Sequence, residues 1–277
     1  MNLALASVEP PAASRPGGHP ARARPGTSQR PMVMPFARAI ALLCAFTPRD
    51  RWLGNSELAL RAGLPASTVT RLAKSLVSLG YLLHDPAERK YRLAAAVLAL
   101  GYAAFANSEV QRVARTRMQA FADQHGVHVN LSSRDRLDVI VLENCSHAQS
   151  TLSLNLHIGA RVGIASSPIG WALLAALPEP ERNYLLSGVE RRTVREWPLV
   201  RRRANTAIAQ VHEMGYCSML GDCGSDLGIV AAPVAVDGHD PRVLACIGSS
   251  ARLSRARVER ELGPRLSAMA RVLQQAC

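Results

Sequence analysis

Residues 52–83, WLGNSELALRAGLPASTVTRLAKSLVSLGYLL, constrain the fold more than any other stretch of the chain. Two short amphipathic segments flank Gly63-Leu64-Pro65. Glycine tolerates the left-handed backbone that ends one helix, and proline suits the opening of the next. Asn55 and Ser56 are the expected caps of a first helix through Glu57, Leu58, Ala59, Leu60 and Ala62. In the second segment Val69, Leu72, Leu76 and Leu79 recur at helical spacing and are expected to face a core. Ser67, Thr68, Arg71, Lys74, Ser75 and Ser78 turn to the other side. Hydroxyls near a helix start and long cations further along suit the phosphates and base edges of a DNA major groove. The competing reading is a solvated amphipathic helix in an ordinary bundle.

The next residues favour DNA. After Gly80, the β-prone runs Tyr81–His84 and Arg89–Leu93 surround an Asp85-Pro86 turn, which predicts a hairpin. A hairpin placed directly after a recognition helix is a wing. Arg89, Lys90 and Arg92 put charge at its tip and return strand, where it can hold phosphates or enter the minor groove. A surface hairpin that is basic only because the chain is basic remains the alternative.

Charge is distributed in the same sense. The formal net charge is +12, and residues 1–107 carry 13 Lys and Arg against 5 Asp and Glu, the remainder 20 against 16. The basic excess is denser where the helix pair lies, as a phosphate-binding module needs. Lys74 and Lys90 are the only lysines, so arginine-rich coding accounts for part of this balance.

The 277 residues suffice for about two domains. Residues 1–35 are rich in Pro, Ala, Gly and Ser without a periodic apolar face, and read as a disordered tail. Leu3-Ala4-Leu5-Ala6 gives way to Glu9 and two prolines, too short for a signal peptide. No apolar run reaches the ~18 residues of a membrane span, so no membrane partner and a cytoplasmic location are expected.

Residues 94–108 read as a linker helix whose apolar side chains Val97, Leu98, Leu100 and Phe105 suit either a partner chain or burial within the same chain. A dimer would carry two recognition helices and so read a palindromic or pseudo-palindromic operator. Beyond it, strands are expected at 127–133, 137–144, 151–158, 216–220, 228–236 and 243–249, and helices at 168–177, 199–214 and 255–275. This mixture predicts an α+β fold with helices on an antiparallel sheet.

RAIALLCAF, PASTVTRLAKSLVSLGYL and DPAERKYRL together resemble the winged helix-turn-helix domain of IclR-type bacterial transcription regulators. VIVLENCSHA, ASSPIGWALLAALPEPE and HEMGYCSMLGDCGSDLGIVAAPVAV are similar to successive parts of that family's GAF-like effector domain. The resemblance covers about residues 36–277 and implies a winged helix at 36–93, a linker helix at 94–108 and a GAF-like domain at 109–277. It also implies a homodimer or dimer of dimers that binds double-stranded DNA and a small-molecule effector, without enzymatic activity.

On matched positions, the resemblance implies an effector site at Ser166, Ser167, Pro168, Ile169 and Gly170, with Met219, Asp222, Ile229, Cys246 and Gly248. A helix start with free N–H groups and two hydroxyls would receive a carboxylate. The chain departs from the family where His and Lys are usual: it has Ala165 and Trp171. Cys217-Ser218-Met219-Leu220 replaces a common acidic run, and Gly228-Ile229 a common Arg-Cys. A more apolar effector follows, an aromatic or short-chain organic acid, unless the pocket is degenerate and the protein a ligand-independent dimer.

Other chemistry has little support. Six cysteines form no C-x-x-C pair, and Cys217, Cys223, His212 and Asp222 read better as core and loop residues than as a metal site. His125-x-x-His128 crosses a predicted helix end. No nucleophile elbow, Walker loop or dinucleotide fingerprint is present, and no cofactor is implied. An enzyme using Cys246 or Cys223 as nucleophile would need an adjacent base, and the sequence places none beside them.

Overall fold

The structure is a computed structural model that describes residues 34–105, 109–149, 156–221, 226–235 and 240–275. These form two compact units, one up to residue 105 and one from residue 109 onward. The tail expected at residues 1–35 lies almost wholly outside the described residues.

The first unit runs α1 (Met34–Leu43), β1 (Leu53–Gly54), α2 (Asn55–Ala62), α3 (Ala66–Ser78), β2 (Leu82–Asp85), β3 (Lys90–Leu93) and α4 (Ala95–Phe105). α2 ends where Gly63 adopts φ 63° and ψ 35°, with the Leu64 N–H closing on the Ala59 carbonyl at 3.0 Å. At its start the cap is Gly54 rather than Asn55 or Ser56, and Glu57 reaches back to the Gly54 N–H at 2.8 Å. The Asn55 side chain instead fastens α2 to the start of α3, donating to the Ala66 carbonyl at 3.1 Å. Val69, Ala73 and Leu76 bury one side of α3 against Leu42, Leu58, Leu82 and Tyr91. Leu79, expected in this core, is 67% exposed because α3 ends before it and Gly80 turns the chain away at φ 76°. β3 is central in a three-stranded antiparallel sheet, with Tyr91 opposite both Leu53 and His84. The short β1 strand lies within a stretch whose local pattern is helical.

The second unit runs α5 (Glu109–His125), β4 (His128–Asp135), β5 (Asp138–Ser146), β6 (Arg161–Gly163), α6 (Pro168–Ala176), α7 (Glu179–Arg192), α8 (Trp197–Met214), β7 (Cys217–Leu220), β8 (Leu227–Val234), β9 (Arg242–Ser249), α9 (Arg255–Arg257), a π turn at Val258–Leu262, and α10 (Gly263–Gln275). The strands form one antiparallel sheet in the order β6-β5-β4-β9-β8-β7. Of the strand expected at 151–158, residues 151–155 lie outside the described residues. Residues 156–158 lead into a turn at Gly159, and the edge strand is β6 instead.

Both faces of the sheet are covered. Val129, Leu131, Val230, Leu244 and Cys246 pack with Met118 of α5 and Leu266 of α10. Val139, Val141, Ile229, Ala231, Val243, Ala245 and Ile247 pack with Ile169 and Leu173 of α6 and with α7 and α8. In β5 the pairing passes from Leu131–Glu143 to Ser132–Val141, so Leu142 is an extra residue. That bulge reverses the alternation: Val139 and Val141 face α6, while Cys145 faces α5.

Candidate DNA interface and effector site

Packing of α3 leaves Ser67, Arg71, Lys74 and Ser75 exposed along one face, with Thr68 half-buried at its flank. Neither Arg71 nor Lys74 makes an ion pair among the described residues. The Ser75 hydroxyl donates back to the Arg71 carbonyl at 3.2 Å, which leaves its lone pairs as acceptors. Thr70 bridges to Asn55 Oδ1 at 3.2 Å, so α3 is held in place from its inner edge. Asp50 clamps Arg61 through both carboxylate oxygens, at 2.5 and 3.0 Å, and the Arg61 guanidinium also reaches the Ala45 carbonyl at 3.2 Å. The Arg61 hydrogen bond holds the Asp50 carboxyl down at a pKa of about 2.

The three wing cations have different settings. Arg89 is exposed at the tip of the hairpin, with φ 52°. Lys90 lies 3.1 Å from Glu88 and is partly neutralised. Arg92 is exposed, its guanidinium 4.9 Å from the centre of the Trp52 ring. Trp52 has no counterpart among the sequence-based expectations, because a pairing across 40 residues has no local periodic signal.

In the second unit, β6 passes through a turn into α6. Ser167 caps α6 by accepting from the Gly170 N–H at 3.4 Å, and the Ser166 hydroxyl donates to the Gly163 carbonyl at 3.1 Å. Pro168 has no N–H, and the Trp171 N–H donates to the Ser167 carbonyl at 2.9 Å. The helix start therefore offers a ligand the Ile169 N–H and the Ser167 hydroxyl proton, fewer donors than the sequence implies. Gly170 is there for contact with backbone: a Cβ on it would collide with the Ile164 carbonyl. Ala165 and Trp171, the two departures from the family pattern, satisfy one another, with the indole N–H donating to the Ala165 carbonyl at 2.7 Å.

The structure divides the remaining expected site residues. Pro168, Ile169, Gly170, Met219 and Ile229 lie on the α6 side of the sheet. Cys246 does not join them: it faces α5 and α10, fully buried. Gly248 shares that opposite face, where Leu253 fills the space a side chain would need. Strand alternation is the reason, since Cys246 and Gly248 are offset by one residue from Ala245 and Ile247. Asp222 and Cys223 lie outside the described residues.

Sequence reasoning misses the polar side of β4. His128, Asn130 and Ser132 alternate with Val129 and Leu131, so they face α6, and all three are buried. Both side-chain polar atoms of Asn130, the Ser132 hydroxyl and the Arg134 Nε have no hydrogen-bond partner. Burial pushes the His128 pKa down, which favours the neutral ring. Their even spacing is visible in the sequence, but resembles the solvent face of an ordinary strand.

Burial pushes the Cys217 and Cys246 thiols up to about 12, so neither forms the thiolate that a nucleophile needs. No group of three or more His, Cys, Asp or Glu is arranged for a metal among the described residues. His125 pairs with Glu261 at 3.1 Å beside α5, away from the face that carries His128. No described helix is long and apolar enough to cross a membrane.

Comparison with known proteins agrees with this architecture. Residues 36–86 match the family described as IclR helix-turn-helix domain, and residues 102–275 match Bacterial transcriptional regulator IclR C-terminal. The HTH-type transcriptional regulator TsaQ1/TsaQ2 of Comamonas testosteroni is 30% identical over 245 residues, 88% of each chain. The Pca regulon regulatory protein of Pseudomonas putida is 26% identical over 98% of this chain and 92% of its own. The crystal structure of an IclR family transcriptional regulator from Brucella abortus superposes with a TM-score of 0.78 at 35% identity, covering 92% of this chain and 97% of that one. These relatives are transcriptional regulators and not enzymes. The chain belongs to the IclR family of DNA-binding transcription regulators.

Proposed function

We propose that the protein acts as a homodimer, or a dimer of dimers, that reads a palindromic or pseudo-palindromic operator and releases or tightens on it when an organic-acid or aromatic effector binds. The observation that carries the DNA reading is the face of α3. Arg71 and Lys74 stand exposed and unpaired among the described residues, while Val69, Ala73 and Leu76 anchor the helix from behind. Ser67, Thr68, Arg71, Lys74 and Ser75 make the base and nearby phosphate contacts in this reading, and Arg89, Lys90 and Arg92 grip the backbone or minor groove.

Dimerisation has separate support in α4, where Leu98 is 76% and Tyr102 72% exposed on one face, with Leu100 exposed on the other. An apolar helix face of that kind is covered by a partner more often than by water. The effector site lies on the α6 side of the sheet, at the Ile169 N–H and the Ser167 hydroxyl, with Met219 and Ile229 as apolar walls. Cys246 and Gly248 are not part of it. An effector acts by preferring one of two arrangements of the dimer, and shifts the balance only by that difference in affinity.

Selection of genomic DNA fragments with the purified protein, at stated salt, tests the reading. One enriched palindromic site is the expected outcome. Binding that falls with salt but selects no motif would sink it.

A further inference from the structure

Three successive residues on one face of β4 leave polar atoms buried and unbonded: Asn130 at both Nδ2 and Oδ1, Ser132 at Oγ and Arg134 at Nε. Asn130 is 1% exposed and Ser132 0%. A buried polar group without a partner destabilises the fold, so a row of them is not retained by packing alone. All three face the side on which α6 lies. Pairing across the sheet places Asn130 in one row with Asn144, Ala245, Ala231 and Cys217. The two alanines beside Asn130 are short, and the next row puts Ser132 between Val141 and Val243. The arrangement is a buried polar stripe on the α6 side of the sheet, with Ala245 beside Asn130 and valines beside Ser132.

The unbonded atoms define what would satisfy them. The Asn130 amide offers two N–H donors and one carbonyl acceptor, Ser132 one donor and an acceptor, and the Arg134 Nε one donor. Donors outnumber acceptors, so the complement is rich in oxygen. The Asn130 carbonyl still requires a proton from the ligand, which a hydroxyl supplies and a bare carboxylate does not. Arg134 holds Glu181 at 3.2 Å and Asp240 at 3.7 Å through Nη2, which leaves its Nε–H for another acceptor. Alternate residues on a strand are roughly 7 Å apart, a spacing one small molecule can span.

We propose that Asn130, Ser132 and Arg134 form the recognition edge of the effector site and select a hydroxylated carboxylic acid, its hydroxyl on Asn130 and Ser132 and an acceptor oxygen toward Arg134 Nε. This rests on the effector site proposed on the α6 side of the sheet. It amends the expectation, drawn from Ala165, Trp171, Cys217-Ser218-Met219-Leu220 and Gly228-Ile229, that the effector is a more apolar acid. The polar groups missing from the loop are present on the strand.

The test uses the full chain and two matched pairs of probes, 4-hydroxybenzoate with benzoate and lactate with propionate, measured by calorimetry and thermal shift. At least one hydroxylated acid is expected to bind tenfold or more tightly than its partner lacking the hydroxyl. Asn130→Leu and Ser132→Ala should abolish that preference. In the absence of probe they should raise Tm, because each removes unsatisfied polar atoms from the interior. Equal binding within both pairs, no binding by any of the four, or a preference unchanged in the variants would overturn the assignment. Variants with lowered Tm and unaltered ligand preference would assign the stripe to buried water instead. Gel retardation with operator DNA on the same samples separates this inference from the broader reading. A hydroxylated acid that binds with the expected preference yet leaves DNA affinity unchanged would refute effector control while leaving the recognition edge intact.

Discussion

The Arg92 guanidinium lies 4.9 Å from the centre of the Trp52 ring, so a residue just before α2 positions a cation on the return strand of the wing. The contact is worth about 0.5–1 kcal/mol at an exposed site and orders a long side chain before DNA arrives. Trp52→Ala should weaken operator binding about two- to fivefold, measured by fluorescence anisotropy at fixed salt. In an Arg92→Ala background the same change should have no further effect on DNA, since the two residues act as one unit.

Arg71 and Arg89 should separate base reading from backbone grip. Arg71→Ala is expected to cost about 1–3 kcal/mol on the operator and to relax preference at one base position. Arg89→Ala should weaken all DNA alike and reduce the salt slope by about one. Binding to the operator and to a scrambled duplex across a salt series checks both. Unchanged operator affinity in both variants would remove these residues from the interface.

Acid should loosen the support of the helix-turn-helix through Asp50. Its folded pKa of about 2 lies below the ordinary carboxylate value because Arg61 hydrogen-bonds the charged form. A group with a depressed folded pKa adds stability above its unfolded pKa and loses it as pH falls through the folded value. Asp50→Asn should therefore cost about 1–2 kcal/mol near neutrality, discounted for the partly exposed Arg61. The gap between variant and wild type should close as pH falls from about 5 to 2. Urea unfolding at several pH values reads it directly.

Two glycines in the second unit should respond differently to the same methyl group. Gly170→Ala drives a Cβ against the Ile164 carbonyl, which is backbone and cannot yield cheaply. Gly188→Ala meets only the flexible end of Leu137, at 2.9 Å. Thermal unfolding should show a loss of about 1–3 kcal/mol or more for Gly170→Ala and a smaller loss for Gly188→Ala. Weakened ligand binding in the Gly170 variant would accordingly be no evidence that Gly170 touches ligand.

Elements written in local periodicity are legible in the amino-acid sequence. α3 is one: Val69 and Leu76 recur at helical spacing, and Gly63 marks the turn that precedes it. The hairpin is another, with Asp85 Oδ1 accepting from the Ala87 N–H at 2.9 Å in the turn that Asp85-Pro86 indicates. By contrast, α7 is absent from the helices expected on periodicity. EPERNYLLSGVERR is polar almost all round and buries only Leu185 and Gly188, so it has little amphipathic signal. Leu142 is similarly silent, because nothing in VIVLEN says which residue a partner strand will skip.

By itself, the sequence determined the helix-turn-helix and its hairpin, the basic outer face of α3 and the family, because each rests on residues within a few turns or strands of one another. Tertiary structure alone decided which side of the sheet each residue serves. One residue of offset sends Cys246 to α10 and Ala245 to α6. His128, Asn130 and Ser132 look in sequence like the wet side of a half-exposed strand, and only the packing of α6 makes that side interior. The Asn130 amide and the Ser132 hydroxyl, which water would have satisfied, are thereby left needing another partner, because burial is a property of what covers a strand and not of the strand.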